Sequence, residues 1–157
     1  MAVSSKRILI VDDEEIVVNS LRSLISLETE YEPLAFTSCK SALEAIRYNP
    51  IDLAISDFLM PEMDGVSFLR EVRRLYPAIE LIILTGFADK ESAIRAINEV
   101  RLYQYLEKPW ENDDMLRIIE AGLNERMQIY KLQEHAQELE AKVKALERQL
   151  AQYTKKG

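Results

Sequence analysis

The chain has 157 residues, a formal net charge of −7 and a hydrophobic fraction of 48%. That composition is typical of a folded globular protein. The acidic balance argues against broad binding to nucleic acid or anionic membranes, because phosphate-rich surfaces attract basic proteins. One cysteine and one histidine exclude an intrachain disulfide and a Cys/His zinc site. No apolar run approaches the ~20 residues of a transmembrane helix, and no signal peptide is recognisable, so we expect a cytoplasmic protein.

Five short apolar segments alternate with helical patterns along the first 120 residues. The predicted strands are residues 7–11, 31–36, 52–56, 81–84 and 103–107. The first and fourth contain continuous runs of Val, Ile and Leu, and the third contains Leu53-Ala54-Ile55. Continuous apolar strands predict a parallel sheet covered on both faces. The alternation of strands and helices indicates an α/β fold. Five strands favour the doubly wound order 2-1-3-4-5.

The segments between the strands carry apolar residues at helical spacing. The stripe after the first strand consists of Ile16, Val17, Leu21, Leu24 and Ile25. Ser38 is the predicted N-cap of the second helix, and Asp89 can cap the fourth.

The last predicted helix is unusually long, because residues 112–153 contain no proline and only one glycine, Gly122. Its distal part carries apolar residues at alternating spacings of four and three, namely Leu132, Ala136, Leu139, Val143, Leu146, Leu150 and Tyr153. That pattern is typical of a coiled-coil seam. The proximal stripe is out of register with it, which predicts a stutter between Met127 and Leu132.

We therefore expect a globular domain over residues 1–120 and a signalling helix over residues 121–157, continuous with the fifth helix. The helix is either a solvated linker or a parallel dimeric coiled coil. The seam and the nearby charges of Lys142 and Glu147 favour the coiled coil and a homodimer. We also expect an output domain beyond Gly157. The acidic chain offers no base-reading element for DNA.

Polar residues follow the predicted strands where each strand ends. Asp12 and Asp13 follow the first strand, and Asp57 follows the third, its neighbour in the predicted order. Because the carboxyl ends of parallel strands meet at one edge, these three carboxylates are expected to converge. Close carboxylates repel one another unless a cation lies between them, and Mg²⁺ prefers oxygen ligands. The sequence therefore predicts a Mg²⁺ site.

Two further polar residues belong to the same edge. Thr85 ends the fourth strand and Lys108 follows the fifth. A carboxylate, a metal, a hydroxyl and a lysine together form a site for a phosphoryl group, and a carboxylate can accept it as an aspartyl phosphate. The alternative is that each acid merely caps the following helix. That alternative accounts for any single acid better than for the whole set.

Four groups of residues resemble the receiver domain of two-component response regulators over residues 5–125. They are the run ending in Asp12-Asp13, Asp57 with Met60-Pro61 and Asp64-Gly65, Leu84-Thr85-Gly86, and Lys108-Pro109-Trp110. The resemblance implies that Asp57 accepts phosphate from a phosphohistidine on a sensor histidine kinase. It also implies that Asp12, Asp13, Asp57 and the Leu59 carbonyl hold Mg²⁺.

The resemblance also implies a switch. Thr85 would hydrogen-bond the phosphoryl group and Lys108 would pair with it, the Lys108–Pro109 peptide being cis. Tyr105 would then turn inward, which changes the face made by the fourth helix, the fifth strand and the fifth helix. The alternative for Tyr105 is an ordinary half-buried strand aromatic.

A Mg²⁺-dependent phosphohydrolase that forms an aspartyl phosphate is the alternative function. Such enzymes usually carry an aspartate two residues after the nucleophile, where this chain has Leu59. Leu59 and Phe87 are apolar and cannot position an attacking water, so we predict slow self-dephosphorylation. An unphosphorylated adaptor is disfavoured by the complete set of acids. His135 lacks a kinase-like motif and is interpreted as a solvated helix residue.

Overall fold

A computed structural model describes residues 5–86, 91, 92, 94 and 100–155. Its strands are β1 (Arg7–Val11), β2 (Glu32–Phe36), β3 (Leu53–Asp57), β4 (Glu80–Thr85) and β5 (Gln104–Glu107). Its helices are α1 (Glu15–Glu28), α2 (Cys39–Ile46), α3 (Gly65–Leu75) and a C-terminal helix (Asn112–Lys155). The predicted fourth helix, with its cap Asp89, lies largely outside the described residues.

The strands form one five-stranded parallel sheet in the order β2-β1-β3-β4-β5. This confirms the predicted fold class and strand order. Neighbouring strands are aligned so that Val11 pairs with Ser56, and Asp57 with Leu84. The register therefore brings the carboxyl ends of β1, β3 and β4 to the same edge.

Both faces of the sheet are buried, as the continuous apolar strands predicted. Along β1, Ile8 and Ile10 join a core cluster with residues of α1 and the C-terminal helix. The alternate residues Leu9 and Val11 join a second cluster with residues of α2 and α3. Because successive side chains of a strand point to opposite faces, one apolar run supplies both cores.

The buried stripe of α1 differs from the predicted one. Val18, Leu21 and Ile25 are buried, whereas Ile16 is 80% exposed. At 3.6 residues per turn, Ile16 lies about 200° around the helix from Val18, which faces the sheet. Hydrophobicity alone therefore assigned Ile16 to the wrong face.

Side chains cap the starts of α2 and α3. The Ser38 hydroxyl accepts a hydrogen bond from the Ser41 backbone N–H, as predicted for an N-cap. Asp64 caps α3 by accepting from the Ser67 N–H at 2.8 Å. That hydrogen bond lowers the pKa of the Asp64 carboxyl. The caps fix where each helix begins after its loop.

The C-terminal helix has 44 residues, two more than the sequence predicts. Its buried residues, Met115, Ile119, Gly122 and Leu123, all lie in its first third. The chain divides into a compact unit Met1–Leu123 and a second unit Asn124–Gly157. No helix among the described residues is both long enough and apolar enough to cross a bilayer.

Candidate functional site

The polar residues predicted from the strand ends do meet at one edge of the sheet. Asp12 follows β1, Asp57 ends β3, Thr85 ends β4 and Lys108 follows β5. Asp12 and Thr85 are fully buried, Asp57 is 7% exposed, and Asp13 is exposed. Buried charges and hydroxyls are rare unless they are paired or serve a site.

Three carboxylates form a cluster that could hold a metal ion. One oxygen from each of Asp12, Asp13 and Asp57 lies within 4.8 Å of the others. Carboxylate oxygens are the ligands that Mg²⁺ and Ca²⁺ take, so the donor set fits a hard divalent cation. The predicted role of the Leu59 carbonyl as a fourth protein ligand stays a prediction.

The Lys108 ammonium lies among the acids. Its Nζ is 2.7 Å from Asp12 Oδ2, 3.1 Å from Asp57 Oδ1 and 3.6 Å from Glu14 Oε1. The Lys108 backbone N–H donates to the Thr85 carbonyl at 2.8 Å, which attaches the lysine to the end of β4. The Lys108–Pro109 peptide is cis, as the resemblance implied.

The pKa values of Asp12 and Asp57 reflect the burial of these two acids close to one another. Burial, reinforced by repulsion from Asp12, raises the pKa of Asp57 to about 6. Burial also raises the pKa of Asp12, although the hydrogen bond from Lys108 opposes the shift. Burial acts to lower the pKa of Lys108, but its contacts with Asp12 and Asp57 outweigh that effect and raise it. The lysine thus pairs with both buried acids.

Backbone hydrogen bonds orient both buried carboxylates. Asp12 Oδ1 accepts from the Glu14 N–H at 2.8 Å, and Asp57 Oδ1 accepts from the Phe58 N–H at 2.9 Å. The Phe58 N–H is shared, since it also donates to the Leu84 carbonyl at 2.8 Å. The Phe58 carbonyl in turn accepts from the Gly65 N–H at 2.8 Å, where α3 begins. The acids are thus fixed by main-chain geometry as well as by Lys108.

The Thr85 hydroxyl is buried without a hydrogen-bond partner in the part of the chain that the structure describes. Buried polar atoms are nearly always satisfied in native proteins, so such a hydroxyl calls for an explanation. A hydroxyl in this state can donate to an oxygen of a ligand that arrives at the same edge. The orphaned hydroxyl therefore fits the role predicted for Thr85.

Tyr105, the predicted switch residue, lies in β5 and pairs with Ile83 of β4. Its ring is partly buried and packs against the core cluster on the α2 and α3 side of the sheet. The inward turn of Tyr105 stays a prediction. Phe87, predicted to flank the phosphoryl site, lies outside the described residues.

Two contributors were missed or undervalued in the sequence. Glu14 received no role from the sequence, yet its carboxylate lies 3.6 Å from the Lys108 ammonium. Gly65 was treated only as part of a motif, yet a Cβ there would lie 3.0 Å from the Asp57 carbonyl carbon. A glycine directly after an N-cap aspartate was the available signal for this close approach.

Comparison with known proteins agrees with this architecture. Residues 8–120 match the family described as response regulator receiver domain. The chain is 36% identical over 109 residues to the hydrogenase transcriptional regulatory protein HoxA of Cupriavidus necator, which covers 69% of this chain and 22% of HoxA. The chain spans 19% to 28% of the length of the curated relatives it matches.

Solved structures of receiver domains are also similar. The response regulator receiver domain protein from Clostridium thermocellum is 31% identical with a TM-score of 0.73, covering 79% of this chain and 98% of that one. The signal receiver domain of an HD domain-containing protein from Pseudomonas fluorescens Pf-5 is 31% identical with a TM-score of 0.74, covering 80% and 99%. The chain belongs to the receiver domain family of two-component response regulators.

Proposed function

We propose that Asp57 accepts a phosphoryl group from a phosphohistidine on a sensor histidine kinase, in a reaction that requires Mg²⁺. The observation that carries the proposal is the meeting of three carboxylates, the Lys108 ammonium and a partnerless Thr85 hydroxyl at one edge of the sheet. A helix-capping role would not require a half-buried lysine between Asp12 and Asp57. It would also leave the Thr85 hydroxyl unexplained.

In the proposed reaction an Asp57 carboxylate oxygen attacks phosphorus, the new O–P bond forms, and the N–P bond of the phosphohistidine breaks. Mg²⁺, held by Asp12, Asp13, Asp57 and the Leu59 carbonyl, would neutralise the acids and polarise the phosphoryl oxygens. Lys108 would supply a second positive charge to the transferring group. The Phe58 N–H and the Lys108 ammonium, which both contact Asp57 Oδ1, would orient the carboxylate for the attack.

The phosphoryl group would also be the switch. It adds about −2 charge and strong acceptor oxygens, which draw the Thr85 hydroxyl and the Lys108 ammonium toward it. The predicted response is the inward turn of Tyr105 and a change of the face that includes the fourth helix, β5 and the C-terminal helix. Thr85 and Lys108 are already joined by a backbone hydrogen bond, so they can respond together.

The proposed organisation is a receiver domain over residues 1–120 and a signalling helix over residues 121–157. The helix would carry the change to an effector and hold two copies of the chain together. Its distal apolar residues support this, since Leu139, Leu146 and Leu150 are each 47% to 65% exposed. We propose a cytoplasmic location and no direct contact of this chain with nucleic acid.

The effector itself is left open by the relatives. HoxA is named a transcriptional regulatory protein, whereas the Pseudomonas relative is named for an HD domain. The same kind of receiver therefore controls different outputs. Nothing in the site chemistry of the described residues selects between them.

Phosphorylation with a small donor tests the proposal directly. Incubation of the full chain with acetyl phosphate and Mg²⁺ should add one phosphoryl group, seen by intact mass. The Asp57→Asn variant, or wild type with EDTA, should stay unmodified. A modified Asp57→Asn protein would refute the assignment of the acceptor.

The same protein preparation distinguishes the alternative function, a phosphohydrolase, from the proposed one. Sustained turnover of a phosphomonoester would favour an aspartyl-phosphate phosphohydrolase. We expect none, because Leu59 stands where such enzymes usually carry an acidic residue, and its side chain is 55% exposed and apolar.

A further inference from the structure

The second unit of the chain, Asn124–Gly157, carries a stripe of exposed apolar side chains along its helix. The seam is defined here as Ile129, Leu132, Ala136, Leu139, Val143, Leu146, Leu150 and Tyr153. Its large members are between 38% and 80% exposed. A continuous row of large apolar side chains along a 44-residue helix needs a partner, because a helix alone gains little from such a row.

Heptad positions follow from the spacing. Leu132, Leu139, Leu146 and Tyr153 occupy d positions, whereas Ile129, Ala136, Val143 and Leu150 occupy a positions. Two of the four a residues are β-branched and three of the four d residues are leucine, a pattern that favours two strands over three or four. Ile129 also extends the seam one step N-terminal of Leu132, so the register break lies before residue 129.

The charges beside the seam distinguish the two possible orientations. Lys142 occupies a g position, and Glu140 and Glu147 occupy e positions. In a parallel pair, g of one helix meets e of the next heptad of the other, so Lys142 faces Glu147 of the second copy. By the same rule His135 faces Glu140 of the second copy.

An antiparallel pair has the opposite consequence. It sets e against e and g against g. With position 132 opposite position 150, Glu140 faces Glu140 of the other copy and Lys142 faces Lys142. Glu147 and His135 then face the neutral Gln133 and Gln149, so no pair of opposite charges forms. The flanks are therefore complementary in only one of the two orientations.

We propose that the seam pairs with a second copy of this chain, parallel and in register from Ile129 to Tyr153. This deepens the proposed function by naming the geometry of its homodimer. In this arrangement each seam residue meets the same residue of the other copy. The two ends of both signalling helices then point the same way, so a change at both receivers reaches one common end.

Cysteine cross-linking of the full chain tests the orientation. In a Cys39→Ser background, which removes the only native thiol, single cysteines are placed at seam positions as Leu132→Cys and Leu150→Cys. The parallel pair predicts that each variant alone forms a disulfide-linked dimer in a redox buffer. Ala141→Cys, on the opposite face of the helix at an f position, is the matched control and should not cross-link.

The antiparallel pair gives a different result in the same experiment. It sets position 132 against position 150, so only the mixture of the two variants would cross-link, and that outcome overturns the proposal. A wild-type chain that sediments as a monomer at micromolar concentration, with no cross-linking, also overturns it.

Exchanging the charges of Lys142 and Glu147 provides a second test of the parallel pair. Lys142→Glu should weaken the dimer about tenfold, because two attractive pairs become repulsive, and adding Glu147→Lys should restore it. Failure of the restoration would contradict the parallel register.

Phosphate uptake by Asp57 in these variants is measured alongside. If phosphate uptake is unchanged but the cross-links show an antiparallel pair, only this proposal is refuted. If the wild-type chain takes up no phosphate, the proposed function is refuted.

Discussion

Gly65 lies so close to the end of β3 that a Cβ at this position would clash with the carbonyl oxygen of Asp57. The same Cβ would lie 3.0 Å from the Asp57 carbonyl carbon and from the Phe58 Cα. All three atoms belong to the main chain, so no side-chain rotation can relieve the contact. The start of α3 and the proposed phosphoacceptor are therefore packed backbone against backbone.

We expect Gly65→Ala to destabilise the protein by about 1–3 kcal/mol and to reduce phosphate uptake, because the backbone that holds Asp57 must move. Gly122→Ala is the matched control. A Cβ there meets the end of a flexible side chain, Leu53 Cδ1, at 3.0 Å, and the helix gains up to ~1 kcal/mol in propensity. Urea unfolding and acetyl phosphate labelling measure both effects. Equal behaviour of the two variants would contradict the close approach at Gly65.

Asp57→Asn should stabilise the metal-free protein while abolishing phosphate uptake. Burial and the nearby Asp12 raise the pKa of Asp57 to about 6, which means that its charged form is unfavourable in the fold. Relative to 3.8, the ordinary pKa of an aspartate, the shift corresponds to at most about 3 kcal/mol at pH 7. Asp113→Asn, at an exposed site, serves as control. A destabilised Asp57→Asn protein in EDTA would contradict the crowding of the acids.

The pH dependence of stability has a definite sign. Folding raises the pKa of Asp57 from about 4 in the unfolded chain to about 6. The carboxyl therefore contributes stability that is fully present below pH 4 and is lost as the pH rises through about 6. Asp12, also raised, acts in the same direction. In EDTA, the stability of wild type relative to Asp57→Asn should therefore fall between pH 4 and pH 7.

Mg²⁺ should act in the opposite sense, since it binds the ionised carboxylates. The thermal stabilisation by a fixed Mg²⁺ concentration should be large at pH 7.5 and small at pH 5. Differential scanning fluorimetry with and without EDTA measures it. A stabilisation that is independent of pH would show that the ion binds elsewhere.

Lys108→Met should destabilise the metal-free protein by several kcal/mol, about 3–5 for a buried pair that loses one partner. Asp12, fully buried and 2.7 Å from the lysine, would lose its cation. Mg²⁺ should then restore more stability to this variant than to wild type. Lys40→Met, an exposed substitution on α2, should change neither quantity. Equal Mg²⁺ effects on Lys108→Met and wild type would argue against a shared site.

Phosphorylated protein should lose its phosphate over hours, because Leu59 has no polar group to orient a water at the phosphoryl site. Leu59→Glu should speed the loss at least about tenfold by supplying a general base. Leu27→Glu, at a site that is 82% exposed on α1, is the control. The decay is followed by intact mass after removal of acetyl phosphate. A wild-type lifetime of seconds would contradict the interpretation.

Much of the fold could be predicted from the sequence. A continuous apolar run indicates a strand that is buried on both faces, as the strands of a parallel sheet are. Strand β1 was predicted with the bounds that the structure has, and the strand order followed from the alternation of elements. Asp12, Asp57, Thr85 and Lys108 were predicted to meet because strand ends in a parallel sheet share an edge. The spacing along the chain therefore determined which residues could form the site.

Only the tertiary structure decided how those residues contact one another. The position of Lys108 between Asp12 and Asp57, and the reach of Glu14 to the same lysine, depend on side-chain packing across elements that lie far apart in the sequence. The exposure of Ile16 and the close approach of Gly65 to Asp57 likewise depend on how a helix is rotated and seated on the sheet. Local patterns carry periodicity and chemistry, whereas distances and pKa values arise from the burial and charges that the fold brings together.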